Sequence, residues 1–297
     1  MSPALLGIGC AVIATACFAS LDSSMKYLGA TLPLLTVVWC RYMVQAVAIS
    51  ATLLPARGLR SLRTAHPRYQ LLRGLLLLMT SVFAYFSLQH LPVAEFTAIV
   101  MVTPLAITVL ASAVLHEKVS RLRWTLVALG FAGTLVVLRP GSDTFQWATL
   151  LPLGLVACNA CFQVLTSRLA RTEDPVAMQF YGGWVGSVLL SLLALALPAF
   201  WEWPADALTW ARLVGMGLMG TIGHYLLTIA YRRTPAATLM PFLYAQIGFA
   251  VTLGWLVFSH VPDNVAVLGI LLIVLSSALG AWLTVRESRI VVLPAEA

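Results

Sequence analysis

Charge is what this chain has least of. Eleven acidic and eighteen basic residues make up only 10% of 297 positions, while 60% are hydrophobic. A soluble domain carries roughly a quarter charged residues. So much apolar surface cannot be hidden inside a water-soluble particle of this size. Composition therefore excludes a soluble enzyme, a disordered chain and a nucleic-acid-binding domain. Long polar segments are missing too. The longest connection, about residues 55–71, is too short to fold by itself. The start has no basic n-region and its apolar run is too long for a cleavable signal, so it is expected to stay as a first helix. There is no Walker A sequence, no H-E-x-x-H and no G-x-S-x-G, which argues against ATP-driven pumping by this chain alone and against embedded proteolysis. Cysteine is scarce: Cys10, Cys17, Cys40, Cys158 and Cys161 all fall in apolar stretches. The Cys158-x-x-Cys161 pair has no second Cys or His cluster beside it, so neither a metal nor a cofactor is expected.

What is present is a succession of apolar runs long enough to cross a bilayer, which needs about 17–25 residues per helix. They fall near 5–28, 34–54, 72–91, 93–115, 121–138, 146–168, 176–198, 209–231, 236–258 and 264–285. Pro92 divides the long run 72–115. The expected fold is an all-α membrane protein of ten transmembrane helices. With the N-terminus inside, the cytoplasmic loops and tail hold Arg57, Arg60, Arg63, Arg68, Arg73, Lys118, Arg121, Arg123, Arg168, Arg171, Arg232, Arg233, Arg286 and Arg289, fourteen of the eighteen basic residues. That bias predicts both termini in the cytoplasm. The net charge of +7 then encodes orientation, and no nucleic-acid partner is expected.

Ten spans divide into two sets of five, over residues 1–140 and 141–297, within one integral membrane unit. Sliding the second half back by about 142–143 residues brings Arg168 onto Lys26 and Thr234-Pro235-Ala236-Ala237 onto Leu91-Pro92-Val93-Ala94. An odd number of helices per repeat inverts one copy relative to the other, an arrangement recurrent in secondary transporters.

Several stretches carry a resemblance: Ala14-Thr15-Ala16-Cys17-Phe18-Ala19-Ser20 running to Lys26, Arg41, Thr103-Pro104-Leu105, and Leu115-His116-Glu117-Lys118-Val119-Ser120 ahead of Gly130 and Gly133. On these the sequence resembles the drug/metabolite transporter superfamily, in its EamA-type branch. It is most similar there to bacterial inner-membrane exporters of amino acids, including aromatic ones, and related metabolites. The resemblance implies a basket-like bundle around a central cavity, with the fifth and tenth helices peripheral.

Polar groups in hydrocarbon line a cavity or pair with each other. In the sixth span Asn159, Gln163 and Thr166 share one helical face, and in the eighth His224, Thr228 and Tyr231 do the same. Tyr85 and Gln89, Gln179 with Gly183, and Tyr244 with Gly248 form shorter pairs. Trp39 and Trp184 could add ring-stacking walls. These residues are the candidate substrate contacts, against the alternatives of interhelical hydrogen bonding and interfacial anchoring. Asp22 and Lys26 are spaced for an i,i+4 ion pair that Arg41 could join; they form either a coupling site or a charge cluster at the interface. His224 titrates near neutrality when unperturbed. Pro104 and Pro241 are candidate hinges. Gly215-Met216-Gly217-Leu218-Met219-Gly220 matches G-x-G-x-x-G, but it lies in an apolar span and reads as close helix packing.

The expected function is export of amino acids or similar small metabolites across the bacterial inner membrane, by alternating access, in a protein working as a monomer within the lipid bilayer. A facilitative uniporter, or an importer of other metabolites such as nucleosides or sugars, is the other reading. A lipid-modifying enzyme would need clustered acid, base or metal-binding residues at one membrane face, which the chain lacks, so no enzymatic activity is expected.

Overall fold

Proline and aspartate set many of the helix starts. Pro175 opens one helix behind Asp174, whose side chain accepts from the Val176 amide at 2.7 Å. Asp206 caps another by accepting from the Thr209 amide at 2.8 Å. Hydrogen bonds from the Thr209 hydroxyl and amide hold the exposed Asp206 carboxyl below the usual carboxylate range. The computed structural model describes residues 3–58, 62–103, 105–106, 110, 121–138, 147–170, 172–198, 201–234, 239 and 242–291. Among these the chain forms ten α-helices and no strand. They are α1 (Pro3–Gly29), α2 (Leu34–Arg57), α3 (Pro67–His90), α4 (Val93–Val100), α5 (Arg121–Leu138), α6 (Leu151–Leu169), α7 (Pro175–Ala196), α8 (Ala207–Arg233), α9 (Ala245–Phe258) and α10 (Asn264–Val291). A 3-10 turn, Trp147–Leu150, leads into α6.

Five helices, α1, α2, α3, α7 and α8, contain apolar stretches long enough to cross a membrane. In α6 the polar residues Asn159, Gln163 and Arg168 dilute an otherwise apolar 19-residue helix. The division at Pro92 falls where expected, between the end of α3 at His90 and the start of α4 at Val93. The span expected over 93–115 is interrupted: α4 stops at Val100, with Met101 as its cap. Its cause is local chemistry. A proline at 104 has no N–H for the Val100 carbonyl, and Thr103 Oγ1 donates to that carbonyl at 2.6 Å instead. The expected hinges Pro104 and Pro241 lie outside the described residues.

Four helix pairs run antiparallel. Along α1 and α8, Gly7 meets Thr234, Phe18 meets Gly223 and Leu21 meets Gly220. Along α3 and α6, Phe83 lies on Gly154 while Arg73 bonds Thr166. Along α2 and α7, Tyr42 covers Gly186 and Trp39 donates to Ser191 Oγ at 2.8 Å. Along α5 and α10, Gly130 faces Ser276 and Val137 faces Gly269. Shifting every helix by five places turns α1·α8 into α6·α3, α2·α8 into α7·α3, and α1·α9 into α6·α4. It leaves α2·α7, α4·α9 and α5·α10 unchanged, and all of these pairs are in contact. In the G-x-G-x-x-G stretch of α8, Gly217 packs on Val44 and Gly220 on Leu21 and Arg41, whereas Gly215 faces open space.

The α2·α7 crossing is the tightest to backbone among these. A Cβ at Gly183 would sit 2.8 Å from the Ala46 amide nitrogen. Backbone cannot yield as a flexible side chain would, so Gly183→Val should cost about 1–3 kcal/mol by overpacking. Thermal unfolding of the detergent-purified variant checks this; an unchanged midpoint would count against the close crossing.

Candidate functional site

A cavity of about 110 Å³ lies where α1, α2, α3, α4, α6, α8 and α9 converge. From α1 come Phe18, Leu21, Asp22 and Met25; α2 supplies Arg41 and α3 Thr80 and Ser81. Across from them stand Asn159, Phe162 and Gln163 of α6, His224 of α8 and Gln246 of α9. Pockets that hold drug-sized ligands measure roughly 300–1,000 Å³. A ring-bearing metabolite therefore needs the surrounding helices to part.

Arg41 organises one wall. It is 4% exposed, donates from Nη1 to Ser81 Oγ, and its Nη2 lies 3.1 Å from His224 Nε2. Arginine has only donors, so His224 Nε2 is the acceptor and the imidazole proton sits on Nδ1. Ser81 in turn donates to Leu77 O at 2.9 Å, so Tyr42 is the donor in its 2.7 Å contact with Ser81 Oγ. Asp22, 8% exposed, accepts from Gln246 Nε2 at 3.3 Å. The expected Asp22–Lys26 ion pair does not form. Lys26 Nζ instead donates to Leu88 O at 2.6 Å and Leu91 O at 2.9 Å, where it neutralises the carbonyl-rich end of α3. Spacing on one helix offered Lys26 a partner; an adjacent helix end offered two better ones.

The two polar stripes of α6 and α8 each divide. Asn159, Gln163 and His224 face the cavity. Gln163 Nε2 donates to Asn159 Oδ1 at 3.4 Å and its Oε1 accepts from the Tyr231 hydroxyl, joining the two helices. Thr166 and Thr228 are taken up by packing. Thr166 Oγ1 accepts from Arg73 Nε at 2.9 Å, and Thr228 Oγ1 from Gln179 Nε2 at 3.2 Å. Gln179 also accepts from Gln45 Nε2 at 3.1 Å, so it ties α2, α7 and α8 together and does not line the cavity. Tyr85 lies near Lys26, donating to Leu32 O at 2.8 Å, while Tyr85 and Gln89 pack on Gly29. Trp39 packs edge-on to Trp201 and Trp203, and Trp184 is partly exposed and donates to Ser50 Oγ at 3.0 Å. Tyr244 is buried just ahead of α9. None of these six reaches the cavity wall.

Several residues that matter here carry little signal in the sequence. Gln246, one isolated amide in an apolar span, was the available clue on α9, two positions from Tyr244. Phe18 and Phe162 look like ordinary core aromatics, yet they flank the His224 ring at centroid distances of 4.8 and 5.8 Å. Arg73, counted among the loop cations, is 1% exposed. Its guanidinium lies 4.9 Å above the Phe162 ring and Nη1 donates to Met178 O at 2.7 Å. The other face of the bundle end is held by Glu173. Its Oε1 accepts from Thr64 Oγ1 at 2.8 Å and the Ala65 amide at 3.0 Å, with His66 Nδ1 at 3.1 Å. The segment before α3 is thereby fastened to the α6–α7 turn. Among the described residues no three His, Cys, Asp or Glu side chains cluster as metal ligands.

Known proteins share this architecture. The EamA-like transporter family matches the chain twice, over residues 5–139 and 146–281. The chain belongs to that family. It is 32% identical over 281 residues to a riboflavin transporter of Vibrio cholerae, covering 92% of each chain. It is 26% identical over 273 residues to an S-adenosylmethionine uptake transporter of Rickettsia felis, covering 91% of this chain and 90% of that one. It is 25% identical over 275 residues to the pseudopaline exporter of Pseudomonas aeruginosa, covering 91% and 94%. This chain is thus a membrane transporter of the EamA-like family. The narrower expectation of amino-acid export does not carry through: none of these relatives is named for a free amino acid, and one name says uptake where another says export.

Glu173→Ala removes the acceptor shared by Thr64, Ala65 and His66. Leaving such donors unpaired costs about 1–3 kcal/mol. Hydrogen exchange over residues 62–66 should accelerate, while exchange in α2 and α8 should not change; equal acceleration throughout would mean global loosening instead.

Proposed function

We propose that this protein is a secondary transporter carrying a polar, ring-bearing metabolite of the riboflavin class across the bacterial inner membrane by alternating access. The carrying observation is the cavity itself, where Asp22, Arg41 and Ser81 from one half meet Asn159, Gln163, His224 and Gln246 from the other. A transport site between two similar halves is the arrangement from which rocking exposes substrate to each side in turn. The antiparallel pairing of α1 with α8 and α3 with α6, and the exchange of contacts under a five-helix shift, support reading residues 1–140 and 141–297 as inverted copies. Both termini are assigned to the cytoplasm from the basic residues. Arg73 is buried, which leaves thirteen of eighteen on that side, and the bias stands. Each half is present once, so one chain supplies both sides of the site and acts as a monomer.

The contacts closing the cavity suggest how it would open. Tyr85 and Lys26 bind the backbone at one end; the Arg73–Phe162 stack and the Tyr231–Gln163 bond lie toward the other. Alternating access would release one set while keeping the second. Direction then follows the substrate gradient or a coupled ion.

Counterflow in liposomes holding only this protein tests the proposal. Vesicles preloaded with riboflavin should accumulate labelled riboflavin, with S-adenosylmethionine, uridine and tryptophan as the comparison panel. Asn159→Ala, Gln163→Ala and His224→Ala should each lower counterflow about two- to tenfold, the worth of one hydrogen bond, with the folded fraction retained. Undiminished transport in all three would overturn the site assignment. Preference for tryptophan would restore the amino-acid reading.

A further inference from the structure

We infer that Asp22, Gln246 and Arg41 read the imide edge of the substrate, the O=C–NH–C=O of a pyrimidinedione ring. This rests on the transporter reading above and specifies which part of the solute the cavity recognises.

An imide edge presents acceptor, donor, acceptor in sequence. Its complement is donor, acceptor, donor. Arg41 is donor-only, an ionised carboxylate is acceptor-only, and the Gln246 amide nitrogen has two N–H groups, one of them already used on Asp22 Oδ2. All three side chains border the same cavity from α2, α1 and α9. Gln246 is the sole hydrogen-bond partner of Asp22 among the described residues. A carboxylate has about four lone-pair sites, so this buried group retains acceptor capacity toward the cavity. An N–H on the substrate can use that capacity.

A substrate carboxylate suits this wall less well. It would ask Arg41 for two parallel N–H groups. Both terminal nitrogens already donate, to Ser81 and His224, and Nε, without a hydrogen-bond partner among the described residues, faces Gly220. Arg41 can still give single N–H groups, which is what a ring carbonyl takes. Phe18 and Phe162, on either side of His224, supply faces on which a flat heterocycle stacks. Recognition of a flat imide-bearing ring uses every one of these features, whereas a small zwitterion uses few of them.

The test is competition against labelled riboflavin counterflow by riboflavin and by N3-methylriboflavin, in which the central N–H is replaced. Wild type should bind the methylated ring at least about tenfold more weakly, since one buried acceptor is left unpaired. In Asp22→Leu, of similar size but without an acceptor, the gap should shrink to within about threefold. A pocket that rejects the methyl group only by size would keep its discrimination in that variant, which would overturn the inference. So would equal competition by the two compounds in wild type, a result that needs no variant to fold. If riboflavin is not carried, labelled lumazine and uridine, which share the edge, take its place. Counterflow of either, with discrimination against its N-methyl form, supports the inference. Counterflow confined to tryptophan or S-adenosylmethionine, which lack the edge, overturns it and leaves the transporter reading intact. Counterflow of no solute overturns both.

Discussion

Two guanidinium groups buried in an apolar bundle govern the rest of this structure. Arg41 and Arg73 each present five N–H donors and no acceptor, and donors left bare in hydrocarbon are costly. Each therefore recruits acceptors from other helices. Arg41 draws Ser81 of α3 and His224 of α8 to α2, and Arg73 draws Thr166 of α6 and the Met178 carbonyl of α7 to α3. Lipid supplies no driving force between apolar helices comparable to that in water. These polar contacts, with close approaches at Gly183, Gly186 and Gly133, fix which helices meet and in what register.

The same constraint separates structural polarity from recognition. Where protein groups satisfy one another fully, as in the Gln45–Gln179–Thr228 chain, the residues bind helices together. Where a polar group borders the cavity with capacity to spare, as at Asp22, it is available to a solute. Phe162 stands between the two regimes, one side on the cavity and the other under Arg73.

Much of this was legible from the chain alone. Most helix positions and the break at Pro92 came from long apolar runs and from punctuation, which are properties of consecutive residues, whereas the family came from a resemblance carried by particular motifs. Of the site, Asn159, Gln163, His224, Asp22 and Arg41 were found because isolated polar groups in hydrocarbon stand out. Tyr85 and Gln179 were found by the same signal, and Trp39 and Trp184 as aromatics, yet all four lie off the cavity wall, since a polar stripe looks identical whether it meets a solute or another helix.

The amino-acid order by itself determined that this is a helical membrane protein, because hydrophobicity and proline act locally along the chain. Partner choice was decided only by the tertiary structure. Lys26 turned from Asp22, four residues away, to the end of α3, and Arg73 went from an expected loop into the core. A buried charge takes whichever acceptors packing brings within about 3 Å, and helices distant in sequence supply them.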